Sequence, residues 1–402
     1  MADKFYFSRD TEVYLMMGVN AAGSTAATSW KIPVLDGFSF SQGTNTSEIT
    51  LAEMADGTGK SRRSRQMFTD SYAPAEWSFQ TYMRPFVATN GATNGWEASG
   101  SEDHHHAVEE ALWANFVGAP TFTKSTGSTE SVWSDGVTNS ASNLIFDFSG
   151  SEVPALGTFD LFFEMGAASG GSGVTGPTYY RLKDAVVNSA SIDFDIDGIA
   201  TITWSGFASM ISDHEVSGNP ALPTITTDIQ EGVTTTSNFI RNRLTQLTVQ
   251  AADTSTFPGT GSGAYNLVLT GGNITIDNGM TYLTPETLGV VNQPLGHVTG
   301  TRSVSGNFTC YLNREAGASA DLFEQLIEAN TVITNSFATT FKIGGTAAPK
   351  VEIALPKCHF EVPSHSIEDI ISLETNFHAL PASIDPGSGA DNYEAKITYT
   401  GG

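Results

Sequence analysis

The chain has 402 residues and carries 43 acidic against 19 basic side chains, a formal net charge of −24, which argues against gripping nucleic acid or docking on anionic membrane, because phosphate binding needs Lys and Arg. Hydrophobic residues make up 40%, enough for real cores and too many for a disordered chain, and the length points to two domains. Only 15% of residues are charged while glycines number 40; low charge with abundant Gly, Ser and Thr points to short strands and tight turns.

The opening MADKFYFSRD has no apolar core of signal-peptide length, and VYLMMGV at 13–19 is too short to span a bilayer. From Trp30, WKIPVLDGFSFSQGTNTSEIT reads as two alternating runs joined by a turn, the pattern of paired strands. DGTGKS at 56–61 resembles the end of a phosphate-binding loop, but the required upstream glycine is Met54 and the following SRRSRQ is too polar for a buried helix. It reads instead as a loop between strands, its Arg62, Arg63 and Arg65 pairing with acidic side chains of another subunit. Trp77 and Phe79 of EWSFQTYMRPF alternate as core residues of a strand. In HAVEEALWANF, Val108, Leu112 and Trp113 predict a short amphipathic helix. His104, His105 and His106 stand just before it, and adjacent residues of an extended loop point in different directions, so they read as an exposed polar loop rather than a metal site. The Gly/Ser/Thr-rich stretches near 121–142 and 167–177 read as exposed loops.

DFDIDG at 193–198 opens like a calcium loop, but its twelfth position is Trp204, where a bidentate Glu belongs. Ile192, Phe194 and Ile196 alternate with Asp193, Asp195 and Asp197, so the segment is expected to be a strand with one apolar and one acidic face. Residues 211–242 are rich in Thr, Pro and Asn without a clear period and read as a linker or extended arm. Cys310 and Cys358 are too few for a disulfide scaffold and fit a reducing cytoplasm. No HExxH, GxSxG or paired CxxC is present, and no nucleophile, base or cofactor site emerges.

One long repeat organises the chain. YNLVLTGGNITIDNGMTYLT, from Tyr265, matches the segment from Trp30; a shift of 236 places Phe38 on Ile274 and Phe40 on Ile276. GNFTCYLN sets Phe308 and Tyr311 opposite Phe79 and Tyr82, and ADLFEQLIEAN sets Leu322, Leu326 and Ile327 opposite Val108, Leu112 and Trp113. In the last block Phe360, Glu361 and Val362 fall on Ile192, Asp193 and Phe194. The expected architecture is mainly β: a first domain over 1–210 with long loop insertions, the arm at 211–242, and a related second domain over 243–402, each a β-sandwich or barrel with one short flanking helix.

The stretch ITIDNGMTYLTPETLGVVNQPLGHVTGTRSVSGNFTCYL at 274–312 resembles the tail tube proteins of long, non-contractile-tailed bacteriophages. A strand pair, a long loop holding Pro285 and Pro294, and a returning strand after Arg302 and Ser303 carry the resemblance directly over about 265–380, and the repeat extends it to about 30–210. It implies a structural virion protein, assembled in the host cytoplasm, whose sheets join edge to edge into stacked homo-oligomeric rings. The partners so implied are other copies, other tail proteins, and double-stranded DNA passing through the lumen without specific binding; no membrane is involved. If six single domains normally fill a ring, a duplicated chain fills it as a trimer. Asp193, Asp195, Asp197 and Glu361 are the candidates to line the lumen. Arg62, Arg63, Arg65, Pro285, Pro294 and Arg302 are the candidates for contacts between rings or subunits. The competing readings are a baseplate-hub or tail-completion ring protein of the same fold, and a β-sandwich module that binds glycans.

Overall fold

The computed structural model describes residues 6–402 except 50–56, 59–64, 89–102, 119–120, 124–131, 135, 150–155, 167–175, 216–220, 226–227, 230–237, 253, 289, 329–335, 368–369 and 382–392. Strands dominate it, as the alternation predicts, with two α-helices among the described residues. The first half supplies β1 (Thr11–Met17), β2 (Thr28–Ile32), β3 (Ser39–Ile49), β4 (Gln66–Tyr82), α1 (Glu110–Val117), β5 (Leu144–Ser149), β6 (Phe159–Met165), β7 (Thr178–Phe194), β8 (Thr201–Ala208) and β9 (Met210–Asp213). The second supplies β10 (Gln246–Ala251), β11 (Leu269–Asp277), β12 (Ser303–Tyr311), α2 (Ser319–Glu328), β13 (Phe337–Ile343), β14 (Lys350–Phe360), β15 (Ser364–Ser366), β16 (Ser372–Leu380) and β17 (Tyr393–Thr400).

Eight of these strands form one antiparallel wall. Its order is β3–β4–β8–β7 from the first half and β11–β12–β16–β15 from the second. The halves meet where 189–194 of β7 pair with 272–277 of β11. A second layer packs behind the wall: β2–β1–β6–β7–β9 in the first half, and β10–β13–β14–β17–β5 in the second. The long strand β7 belongs to both layers, pairing with β6 at its start and with β8 and β11 further on. Part of the 210–242 region also lies against the first half: β9 pairs with β7, and Asp228 and Ile229 pair in parallel with Ser29 and Trp30.

Strict alternation builds the sandwich, as in the burial of every second residue along β8, β10 and β16. Rings from the two layers then interlock. Phe40 meets Phe163 at 4.7 Å, Phe194 stacks on Phe341 at 5.3 Å, and Trp204 meets Trp113 of α1 edge-on at 4.6 Å. Trp77, Trp113 and Trp204 are buried, as their spacing predicts. Every residue of α1 is buried, and the helix stops at Gly118, whose φ of 89° lets its N–H reach back to the Ala114 and Asn115 carbonyls. In α2 the buried stripe is Leu322, Phe323 and Leu326, whereas Ile327 is 57% exposed. Five residues along a helix turn a side chain well away from the starting face, so only a helix enclosed on all sides, such as α1, buries both positions.

The three histidines are not an exposed loop. His104–Ala107 forms a short strand paired with Pro85–Ala88, and all three rings are buried. Polar partners, one close in sequence and one from the far end of the second half, accompany this burial. His106 Nδ1 lies 3.0 Å from Glu110, which also accepts the Trp133 indole N–H at 3.0 Å. His105 Nδ1 accepts the Gly401 N–H at 2.8 Å. Nearby, the Tyr399 hydroxyl accepts the Trp113 indole N–H at 2.7 Å and hydrogen-bonds Glu109. β17, seated between β14 and β5, thereby fastens the second half to the helix of the first.

Burial pushes the Glu109 carboxyl from 4.5 up to about 7. Between those values the native chain holds a proton that the unfolded chain has lost, so this group's contribution to stability is complete below pH 4.5 and is lost as pH rises towards 7. Raising the pH from 5 to 8 should therefore cost the parent chain roughly 2–3 kcal/mol more than it costs Glu109→Gln, as read by urea unfolding at both pH values.

Candidate functional site

The face of the wall turned away from the core is largely polar, except where Val186 and Phe207 pack with Leu156, Met280 and Tyr282. Gln80 Nε2 donates to Thr203 Oγ1 at 2.9 Å. The Ser191 and Thr275 hydroxyls meet at 3.2 Å across the junction between the halves. Asn273 and Asn307 exchange bonds, each backbone N–H reaching the other's side-chain oxygen at 3.2 and 3.3 Å. Asn307 Nδ2 continues to Glu374 at 3.3 Å, and Asn376 Nδ2 donates to Glu361 at 2.9 Å. A ladder of hydroxyls and amides thus crosses both halves. Glu76, Asp193, Asp277, Glu361 and Glu374 add negative charge, and Lys357, His359 and His378 are the basic residues among them. The Asn376 amide, with His378 beside it, holds Glu361 below the usual carboxylate range.

On the opposite side of the junction, Ala190, Ile192, Phe194, Ile274 and Ile276 are all at most 5% exposed. Phe194 lies opposite Gly272, where φ is 152° and a Cβ would fall 2.4 Å from the Asn307 carbonyl oxygen. Only glycine lets β11 approach β12 so closely at this point.

At its two ends the wall is open. Among the described residues, β3 pairs with β4 alone and β15 with β16 alone. The short β15 is exposed throughout, with Val362 and Ile367 flanking it at 66% and 79% exposure.

Asp193 lies on the polar face. Asp195 and Asp197 do not continue its row, because β7 ends at Phe194. The Asp195 carboxylate accepts the Ile196 N–H at 2.6 Å, Gly198 at φ 108° turns the chain towards β8, and Ile196 is 48% exposed instead of buried. Asp197 lies 3.7 Å from Arg243. Glu361 is on the polar face, but the strand registers do not pair it with Asp193. With Phe79 set on Phe308, their neighbours place Phe40 on Ile274, two residues from the sequence alignment, and Asp193 on Ser366. A β-bulge that recurs at Phe159/Leu161 and Phe337/Thr339 gives the same offset, setting Ala185 on Cys358.

Of the contact candidates, Arg62 and Arg63 fall outside the described residues. Arg65 is exposed and 3.3 Å from Glu48; Pro285 is half-buried and Pro294 buried. Arg302 turns inward, donating to Asn278 at 3.2 Å, lying 3.8 Å from Glu394 and stacking over Phe148 at 5.4 Å. The loop after Leu283 docks on β4 through Tyr72 N–H to the Asn292 carbonyl at 2.9 Å and Asn292 N–H to the Asp70 carbonyl at 3.1 Å. Beyond this docking point Met67 and Phe68 are 58% and 57% exposed and Leu288 fully so.

Reactive chemistry is not apparent in this arrangement. Both cysteines are buried with their thiols pushed up to about 12, and among the described residues no three His, Cys, Asp or Glu side chains are placed to hold a metal. What the site offers is an uncharged-to-acidic hydrophilic surface with unpaired strands at its rims. Sequence reading missed the Ser/Thr/Asn ladder, although its alternation with apolar residues in β7, β11 and β12 is visible. The two faces of one strand should therefore respond differently to mutation. Ile274→Ala should cost roughly 2–5 kcal/mol in urea unfolding, while Asp193→Ser should stay within about 0.5 kcal/mol.

No protein-family model matches the chain. It is similar to tail tube protein pb6 of Escherichia phage T5, with 26% identity over 397 residues covering 98% of this chain and 76% of that protein. Likeness along nearly the whole length, together with a strand wall open at both edges, supports the reading of this chain as a tail tube protein, a structural component of the virion.

Proposed function

We propose that the chain is the ring-forming subunit of a hollow phage tail tube that conducts double-stranded DNA, three chains closing each ring and rings stacking along the tube. The carrying observation is the wall itself: two similar four-strand units joined edge to edge, with an unpaired strand at each end. Unpaired edges invite pairing, and two different edges meeting head to tail close a ring when the rotation permits. Because each chain brings two similar units, three chains furnish six positions. Other tail proteins would meet the terminal rings.

The polar face is assigned to the lumen. Its hydroxyls and amides present no cationic row, and its carboxylates repel phosphates, so passing DNA is not trapped. Asp193 and Glu361 lie on that face, and Asp195 and Asp197 on the turn at its rim. The described ends of β3 and β4 furthest from the core and the loop after Leu283, with Met67, Phe68 and Leu288 exposed, are assigned to contact with the next ring, since exposed apolar patches mark interaction surfaces.

Mass measurement of a single ring should give three times the 42.6 kDa chain. A ring of six whole chains, or monomers at every concentration, would contradict the proposal. Asp193→Lys with Glu361→Lys and Glu374→Lys should leave folding largely intact. DNA release through tubes carrying these changes should slow at low salt and recover as salt rises; release unchanged at low salt would remove this face from the lumen.

A further inference from the structure

The junction within one chain predicts the junction between two. In β7 and β11, Ser191 stands opposite Thr275, Ile192 opposite Ile274 and Asp193 opposite Asn273. Carried through the registers of the wall, Ser191, Ile192 and Asp193 correspond to Ser364, His365 and Ser366 of β15. Thr275, Ile274 and Asn273 correspond to Ser41, Phe40 and Ser39 of β3. These are the two segments left unpaired at the ends of the wall.

Resting on the tube reading, we propose that β15 of one copy pairs antiparallel with β3 of the next, with Ser364 opposite Ser41 and His365 opposite Phe40. The occupant is a second copy of this chain because the chain already makes this joint once, between its own halves. Exposure agrees. In the internal joint Phe194 is 5% exposed, whereas its counterpart Ile367 is 79% exposed. On the other strand Phe40 is only half-buried, although its ring already packs on Phe163 and Tyr180. The proposed pairing would cover Ile367 and the open flank of Phe40 together. It would also extend the polar ladder across the subunit boundary, Ser364 and Ser41 replacing the Ser191–Thr275 contact of 3.2 Å. The joint differs from the internal one at several positions: His365 stands where Ile192 does, Gln42 where Ile276 does and Phe38 where Gly272 does.

The register can be read by cross-linking. Directly opposed antiparallel residues lie about 4.5–5.5 Å apart at Cα, within the span of a disulfide, whereas a slip of two residues moves them about 7 Å further along the strand. Ser41→Cys with Ser364→Cys should assemble normally under reductant and, once oxidised, run mostly as covalent dimers and trimers. Ser39→Cys with Ser364→Cys, a pairing slipped by two residues along β3, should cross-link several-fold less. Both native cysteines are buried and do not compete. Assembled tubes that cross-link only through Ser39, or through neither pair, would overturn the register and leave the tube reading in place; absence of any assembled particle, for these variants and for the parent, would overturn the reading itself. As an independent check, Ile367→Asp should melt like the parent yet form markedly fewer rings, and unchanged ring formation would count against the joint.

Discussion

A β-strand at the edge of a sheet carries a row of N–H and C=O groups that must find partners, and this requirement organises the chain. Inside the chain it is met where 189–194 pair with 272–277, so that strands from both halves form one wall. Residues on both sides of that junction serve it. Ile192, Phe194, Ile274 and Ile276 seal its core side, while Ser191 and Thr275 join across its outer side. Gly272 lets β11 approach its other neighbour, β12, where any side chain would collide with the Asn307 carbonyl. β17 reinforces the union from the second layer, because it pairs with one strand from each half. The buried Glu109–Tyr399–Trp113 cluster locks that strand against α1.

The same constraint separates the two faces of the wall chemically. One side is packed with aromatic rings from both layers. The other carries hydroxyls, amides and carboxylates that satisfy one another laterally, strand to strand, rather than reaching for a ligand. Such a surface is hydrophilic and lacks the cationic clusters that hold a polyanion. On the proposed tube reading this surface sits beside DNA without retaining it, the opposite of a nucleic-acid-binding site, and the formal charge of −24 is consistent with that reading.

Much of the fold is legible in the sequence, because period-two alternation reports a strand with one buried face. The tryptophans at 77 and 204 are identifiable on that basis, and Trp113 with both helices by helical spacing. What escaped had physical causes. The strand of Asp193 looks longer in sequence than it is, since only the turn at Gly198 breaks an alternation that runs on through Ile196. The repeat alignment slipped by two residues near Phe40 because bulges at Gln42/Thr44 and Leu269/Gly271 shift the registers of the two copies at different points. A slip of two keeps every side chain on its proper face, so hydrophobic pattern alone does not detect it. Burial of His105 depends on a partner nearly 300 residues away at Gly401, and Arg302 turns inward towards Glu394 from the far end of the chain. Local pattern carries no trace of such contacts.

The direction in which the wall's polar face points distinguishes a lumen from an outer surface. A cryo-microscopy map of the assembled particle, resolved to individual side chains, reads this directly. It should show a closed strand barrel with threefold symmetry in which Gln80, Ser191, Asn307 and Asn376 line the channel and the second sheet layer lies outside it. A map that places these residues on the outer surface, or covers them with protein, would contradict the central claim.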